Sequence, residues 1–461
     1  MQQAPDYKAE ADYRNMKKII YPGSVGYIIN KLNEKGFEAF IVGGCVRDSV
    51  LGEEPHDWDI ATSALPAEVK ETFGRTYDTG IKHGTVSVAV EDEIFEVTTY
   101  RVDGKYSDSR RPDIVSFTAS LKEDLARRDF TVNAMAYNYQ TGLVDYFEGL
   151  QDIKNRQIKA VGNAGARFQE DALRMLRAIR FSAQLGFEIE KNTFDAISGN
   201  SGLIKNISRE RIREEVDKLL TSQNPSCFNK LYHSGLLEHI MPEFVACYHT
   251  EQNNPYHIYN VAEHIIHTVE SIPESSILRW TMLLHDIGKP PSRTTDDKGI
   301  DHFYGHQEVS VRMADSILNN LRLDKLSIKK ILTLVRYHDV DIFDTGKSIR
   351  KVLNKVGEDL FLSLLEVQRA DAMGQNPVYL DKRLVKLDNI KRIYKEIKDK
   401  GQCLSLSDMA VNGDDLISLG MEPGRKVGEM LGYLFDRVLE NPELNDKEKL
   451  IELAKQRIPF F

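Results

Sequence analysis

The chain has few cysteines, no long apolar run and no surplus of positive charge, and each shortage removes a class of protein. Cys45, Cys227, Cys247 and Cys403 are scattered and form no CxxC pair. That argues against a structural zinc knuckle or a disulfide framework and fits a reducing cytoplasm. No apolar stretch is long enough to span a bilayer, and the polar start Met1 to Asp6 lacks a signal-peptide core. There is no repeat of fixed period and no low-complexity tract. Lysine and arginine (61) fall short of aspartate and glutamate (70), for a net charge of −9, so any nucleic-acid footprint has to be local. What is present is the balance of a soluble protein, 41% hydrophobic and 28% charged over 461 residues, enough chain for several domains and a sizeable core.

The richest stretch is Gly43-Gly44-Cys45-Val46-Arg47-Asp48, followed by Asp57-Trp58-Asp59. Phe40 to Val42 reads as a buried strand and Val46 to Leu51 as a short helix, which puts the glycines at a strand-to-helix turn. Backbone N–H groups there can face a triphosphate, and glycine permits close approach. Arg47 adds a charged fork for the same oxygens. Asp57 and Asp59, two apart in an extended segment, share a face with Trp58 on the other. Like charges so close need a cation between them, and hard oxygen ligands favour Mg²⁺. The plain alternative is a glycine turn followed by two surface aspartates. In the alternating segment Glu93 to Tyr100, Glu96 faces away from Phe95 and Val97. If that strand lies beside the aspartates, Glu96 joins them as a third catalytic carboxylate in a two-ion clamp. Together these residues have the parts that nucleotidyl transfer needs.

Further on, Asp171, Arg174, Arg177 and Arg180 recur at steps of three in an expected helix from Gln169 to Leu185. Stacked arginines repel, which suggests an anion nearby; the plain alternative is a solvated charged face paired internally through Asp171 and Arg174. A carboxylate acceptor beside guanidinium donors suits the edges of cytosine and adenine and leaves groups unpaired against uracil and guanine. Arg177 and Arg180 can then hold phosphates. Between these parts, Asp124 to Ala136 is dense in polar groups ahead of an expected apolar helix. Arg128 can reach a phosphate and Asp129 a ribose hydroxyl; helix capping by Asp129 is the structural alternative.

Up to about Gly149 the pattern mixes short strands (Thr85 to Val90, Glu93 to Tyr100, Ile114 to Phe117) with short helices, an α+β domain. Beyond it the chain reads as helical, with Ser208 to Leu220, Ile258 to Val269 and Ser327 to Tyr337 among the apolar-periodic segments. Lys382 to Lys400 forms a basic amphipathic helix, and Gly420 to Lys426 a glycine turn opening another. Such a turn can offer N–H groups to an RNA phosphate.

Gly-Gly-x-Val-Arg-Asp, Asp-x-Asp, Arg-Arg-Asp-Phe-Thr-x-Asn-Ala-Met-Ala and Glu-Asp-x-x-Arg-x-x-Arg, in this order over roughly the first 190 positions, closely resemble class II tRNA nucleotidyltransferases, the CCA-adding enzymes. The resemblance implies an α+β nucleotidyltransferase head, a mixed sheet with flanking helices, at 1–155. An all-α neck with the base-reading helix at 156–224, an HD-like body at 225–375 and a tRNA-binding tail at 376–461 would follow. It implies Mg²⁺ on Asp57 and Asp59, base templating by Asp171 and Arg174, and nucleotide contacts from Gly44, Arg47, Arg128, Arg177 and Arg180; Gly43, Asp129 and Asn133 are further nucleotide-binding candidates. The substrates would be CTP, ATP and a tRNA 3′ end, in the cytoplasm and away from membranes. The linker Arg101 to Asp113, with Gly104 and Arg110-Arg111, resembles the family's loop that helps the site change from CTP to ATP.

In the body, His264 lies on one expected helix, His285-Asp286 follow Leu283-Leu284 on another and Asp371 lies further on, with His306 and His338 as further candidates. Imidazole and carboxylate ligands suit a second divalent metal, and Leu283 to Lys289 resembles the motif of HD-domain phosphohydrolases. Rival readings are a poly(A) polymerase, a partial enzyme adding only A or only CC, an HD phosphohydrolase as additional or main activity, and a non-catalytic RNA-binding module.

Overall fold

The computed structural model describes residues 18–104 and 115–458. The chain divides into two compact units, 1–242 and 243–461. The first holds both the stretch expected as head and that expected as neck.

Nine strands mark the start of the first unit: β1 Ala39–Val42, β2 Ile60–Thr62, β3 Thr76–Gly80, β4 Thr85–Val90, β5 Glu93–Thr99, β6 Arg101–Asp103, β7 Val115–Phe117, β8 Met135–Asn138 and β9 Gly142–Asp145. Seven form one sheet in the order β3-β4-β5-β2-β1-β8-β9, while β6 and β7 pair separately. Only β2 and β5 run parallel within the large sheet, so it is the mixed sheet expected. Every residue of β1 is buried, which explains the unbroken apolar run Ala39 to Val42: a strand covered on both faces has no position for a polar side chain. Helix Gly23–Glu34 packs against β1 and buries Val25, Ile28, Ile29 and Leu32. Phe40, Val42, Ala61, Tyr100, Leu125 and Ala136 belong to one core cluster. The linker residues 105–113, Arg110 and Arg111 among them, lie outside the described residues.

Two expectations of local structure fail. After Asp129 the chain makes a 3₁₀ turn, Thr131–Asn133, and then β8, where a helix was expected. The reason is non-local: the Thr131 N–H donates to Lys159 O and the Val161 N–H to Asp129 O, so the backbone groups a helix needs are already engaged. The helix expected from Gln169 to Leu185 is two, Ala164–Glu170 and Leu173–Leu185. Asp171 breaks it with extended backbone, φ −135° and ψ 104°. Its Oδ1 takes the Leu173 N–H at 3.0 Å and its carbonyl the Arg174 N–H at 3.0 Å, the competition by which short acidic side chains end and restart helices.

The second unit is helical apart from a small pair of strands at Thr294–Thr295 and Asp301–His302. Its helices include Val261–Ser271, Ser276–Leu284, His306–Asn320, Lys325–Tyr337 and Glu358–Met373, followed by Leu380–Asp399 and Arg425–Glu440. No described helix is long and apolar enough to cross a membrane.

Candidate active site

Helix Gly44–Leu51 starts directly after β1, with Gly43 at its N-cap. Gly43 has φ +80°, and a Cβ there would meet Arg128 Nη1 at 2.7 Å. Glycine is therefore required by the positive φ, and it leaves the guanidinium room to lie on the turn. The turn is held by the Gly43 N–H donating to Met135 O at 3.2 Å, which places β8 and the Asp129 to Asn133 segment beside it.

Asp57 and Asp59 precede β2 rather than lying within it, since the strand begins at Ile60. The Val42 N–H still donates to Asp59 O at 3.0 Å, which anchors the acidic segment to the end of β1. Both aspartates are solvent-exposed. Partial loss of hydration raises the Asp59 carboxyl above its ordinary value, Arg128 opposes the rise, and Asp57 adds to it. The two carboxylates therefore act on each other, as a shared cation site requires. β5 runs parallel beside β2 with Val97 opposite Ile60, so Glu96, within β5, and Asp59, just ahead of β2, each precede that pair by one residue. Glu96 is exposed. Asp57, Asp59 and Glu96 do not form a group with all ligand atoms within 4.8 Å; among the described residues such groups occur only in the second unit.

Around the turn, arginines are matched with carboxylates. Arg47 is buried and donates to Asn133 Oδ1 at 2.5 Å and to Asp48 Oδ1 at 2.8 Å. Arg177 grips Asp129 at 2.6 Å, and Arg180 grips Glu215 at 2.5 Å. Burial pushes the Asp129 carboxyl up, but the Arg177 guanidinium, with help from Asn133 and Arg174, holds it down at about 2. The anion expected beside the arginine stripe is thus partly the protein's own. Arg128 is the loosest of the set: it reaches Asp124 only at 3.6 Å, and its buried Nε has no hydrogen-bond partner. Phe181, which the sequence reading passed over, lies under three of these cations, with Arg180, Arg47 and Arg177 at 4.0, 5.1 and 5.3 Å from the ring centroid. Its place four residues after Arg177 was the available signal.

Asp171 and Arg174 do not pair with each other. Asp171 Oδ2 accepts from Arg211 at 3.1 Å, and Arg174 donates to Glu170 at 2.7 Å and to Arg127 O at 2.8 Å. Arg211 and Glu215 were absent from the sequence reading because partners so distant on the chain leave no periodic trace. In the second unit, His264, His285, Asp286 and Asp371 do converge, and Asp286, His306 and His338 form a second group. The basic segment expected at Lys382 to Lys400 is helix Leu380–Asp399, with Lys386, Lys391 and Lys398 each facing a carboxylate. Gly420 and Gly424 both have positive φ, and helix Arg425–Glu440 follows them.

The profile of the poly A polymerase head domain matches residues 39–159, and that of tRNA nucleotidyltransferase domain 2 matches 295–454. The CCA-adding enzyme of Ligilactobacillus salivarius is 36% identical over 93% of this chain and 95% of its own length. The chain belongs to the CCA-adding enzyme family. It is accordingly a nucleotidyltransferase. The CCA-adding enzyme of Enterococcus faecalis is 35% identical over 93% of this chain and 95% of its own. Among solved structures, that of the Bacillus stearothermophilus CCA-adding enzyme in complex with CTP is similar with a TM-score of 0.71 and 29% identity, covering 96% of this chain and 99% of that one. The Thermotoga maritima CCA-adding enzyme complexed with tRNA, at 20% identity and a TM-score of 0.58, shares the fold.

Proposed function

We propose that this chain adds CCA to the 3′ end of tRNA, using CTP and ATP and releasing pyrophosphate. The observation that carries the proposal is the meeting of three features: the Gly43 turn, the under-partnered Arg128 lying on it, and the interacting carboxylates Asp57 and Asp59 at the end of the same strand pair. The relatives named for this activity match along nearly the whole chain.

Asp57 and Asp59 fit a divalent ion, since exposed carboxylate oxygens that repel each other leave room for water and phosphate oxygens; Mg²⁺ is the ion such ligands favour. Bound there, the ion supplies charge neutralisation at the triphosphate and lowers the pKa of the attacking 3′-hydroxyl. Arg128 and the N–H groups following Gly43 hold the phosphates, and Arg47 orients that helix through Asn133. Asp129 keeps its charge and Arg177 in place, ready for the ribose. Asp171 and Arg174 present acceptor and donor to the base once Arg211 and Glu170 yield. Head, neck, body and tail at 1–155, 156–224, 225–375 and 376–461 remain the proposed division of labour, with Glu96 as a further carboxylate of the head.

The test incubates the protein with tRNA lacking its 3′ end, Mg²⁺ and each nucleoside triphosphate singly and together. Three added nucleotides are expected; a long tail would mark a poly(A) polymerase, and one or two additions a partial enzyme. Asp57→Ala should abolish addition while leaving thermal unfolding within about 0.5 kcal/mol, because the side chain is exposed. Extension at a near-normal rate by that variant would reject the site.

A further inference from the structure

The cations around the Gly43 turn share an apolar neighbour as well as having their carboxylates. Phe181 lies four residues after Arg177 and one after Arg180 on helix Leu173–Leu185, so the three side chains crowd one stretch of that helix. Helix Gly44–Leu51 brings Arg47 to the same ring. The guanidinium carbons of Arg180, Arg47 and Arg177 sit over it at 4.0, 5.1 and 5.3 Å from the centroid. All three are inside the roughly 6 Å over which an aromatic face attracts a cation. Guanidiniums gathered this closely repel one another. Burial and the Arg177 charge both lower the Arg180 guanidinium from its ordinary value, with Glu215 opposing them.

The negative face of the ring offsets part of that repulsion, and it does so without taking the in-plane N–H donors that a carboxylate takes. The difference matters at Arg177. Asp129 occupies its Nε at 2.7 Å and its Nη2 at 2.6 Å, while Nη1 makes no hydrogen bond among the described residues. The Arg177 side chain is also the most exposed of the three, at 34% against 9% for Arg180 and 10% for Arg47. The ring is held in turn. Phe181 is buried, and Phe130 packs on it in a T-shaped arrangement, with centroids 5.9 Å apart and planes at 80°. Phe130 is fully buried and directly follows Asp129, whose Oδ1 accepts the Phe130 N–H at 2.9 Å. One dipeptide therefore fixes both the counter-ion of Arg177 and the tilt of the ring against which Arg177 lies.

We infer that Phe181 is a positioning residue for the triphosphate: its ring gathers Arg47, Arg177 and Arg180 by cation–π attraction and keeps Arg177 in place with Nη1 free for a phosphate oxygen. The inference rests on the reading that these arginines meet the nucleotide. A carboxylate in place of the ring would neutralise one of the cations, and an aliphatic side chain would fill the volume while attracting none of them. The role is independent of the base, because CTP and ATP carry the same phosphates. Inorganic tripolyphosphate, which has no base, must therefore feel the ring as strongly as a nucleotide does.

The test uses the full chain with Phe181 replaced by mono-, di- and trifluorophenylalanine through a reassigned stop codon. Each fluorine weakens the negative potential of the ring face and leaves the shape of the side chain nearly unchanged. Binding of CTP and of inorganic tripolyphosphate, both as Mg²⁺ complexes and without tRNA, is measured by titration calorimetry. Both dissociation constants are expected to rise step by step along the series and by the same factor, about tenfold at trifluorophenylalanine. The KM for CTP and that for ATP should rise alike, with kcat unchanged within about twofold. Phe181→Leu should match the end of the series. A parent chain that binds neither probe overturns the nucleotide reading and the role of Phe181 with it. A parent that binds both while the series stays flat overturns the role of the ring alone, whether or not Phe181→Leu folds. Weakening of CTP without weakening of tripolyphosphate would place the effect at the base and overturn it as well.

Discussion

Asp129→Asn tests how far the arginine stripe is held by the protein's own carboxylates. In the native chain Asp129 is buried, accepts from Arg177 at 2.7 Å and has its carboxyl lowered from the ordinary 3.8 to about 2. At 1.36 kcal/mol per pH unit that gap is worth roughly 2.5 kcal/mol. A lowered carboxyl contributes above its unfolded pKa, so the full effect is present above about pH 4 and is lost as pH falls through about 2. Losing one partner of a fully buried pair costs about 3–5 kcal/mol, but the Arg177 side chain is 34% exposed and recovers water. The variant is therefore expected to be about 2–3 kcal/mol less stable at pH 7. The chain has two tryptophans, Trp58 and Trp280, one in each compact unit. Urea unfolding followed by Trp58 fluorescence in a Trp280→Phe background thus reports on the first unit. The stability difference between that parent and the same chain carrying Asp129→Asn should hold from pH 8 to 5 and fall to about half near pH 3. A difference below about 0.5 kcal/mol at pH 7, or one that does not shrink between pH 5 and pH 3, would refute the ion-pair account.

Arg174→Ala removes the donors proposed to read the base, and rejection of UTP relative to CTP should weaken by about 1–3 kcal/mol in kcat/KM; unchanged discrimination would sink the templating role. Gly149→Ala would put a Cβ 2.2 Å from Thr131 O, against the turn that carries Asn133. A loss of about 3 kcal/mol in stability is expected, together with slower addition, whereas Gly74→Ala, with open space around it, should leave thermal unfolding unchanged. Equal melting points for the two glycine variants would contradict the packing described.

Local signals in the sequence were enough to draw several strands of the head and the glycine turn. β1, β4 and β5 follow from apolar runs and alternation, and Gly43 from its place between a strand and a helix, because period and turn chemistry are properties of neighbouring residues. The same holds for the helices bearing His264 and the lysines of 380–399. Asp57 and Asp59 were legible as a pair of charges, but their attachment to β1 through Asp59 O was not. Only the tertiary structure decided that Asp129 leads into a turn and strand, since Lys159 O takes the Thr131 N–H and the Val161 N–H donates to Asp129's own carbonyl. It also decided that Asp171 divides a helix, and that Arg177 and Arg180 face Asp129 and Glu215 rather than water. The sequence supplied the histidines and aspartates of the second unit, while their convergence on Asp286 arose only when separate helices brought them together. Charges and lone pairs act through space, so residues tens of positions apart set each other's state without leaving any pattern along the chain.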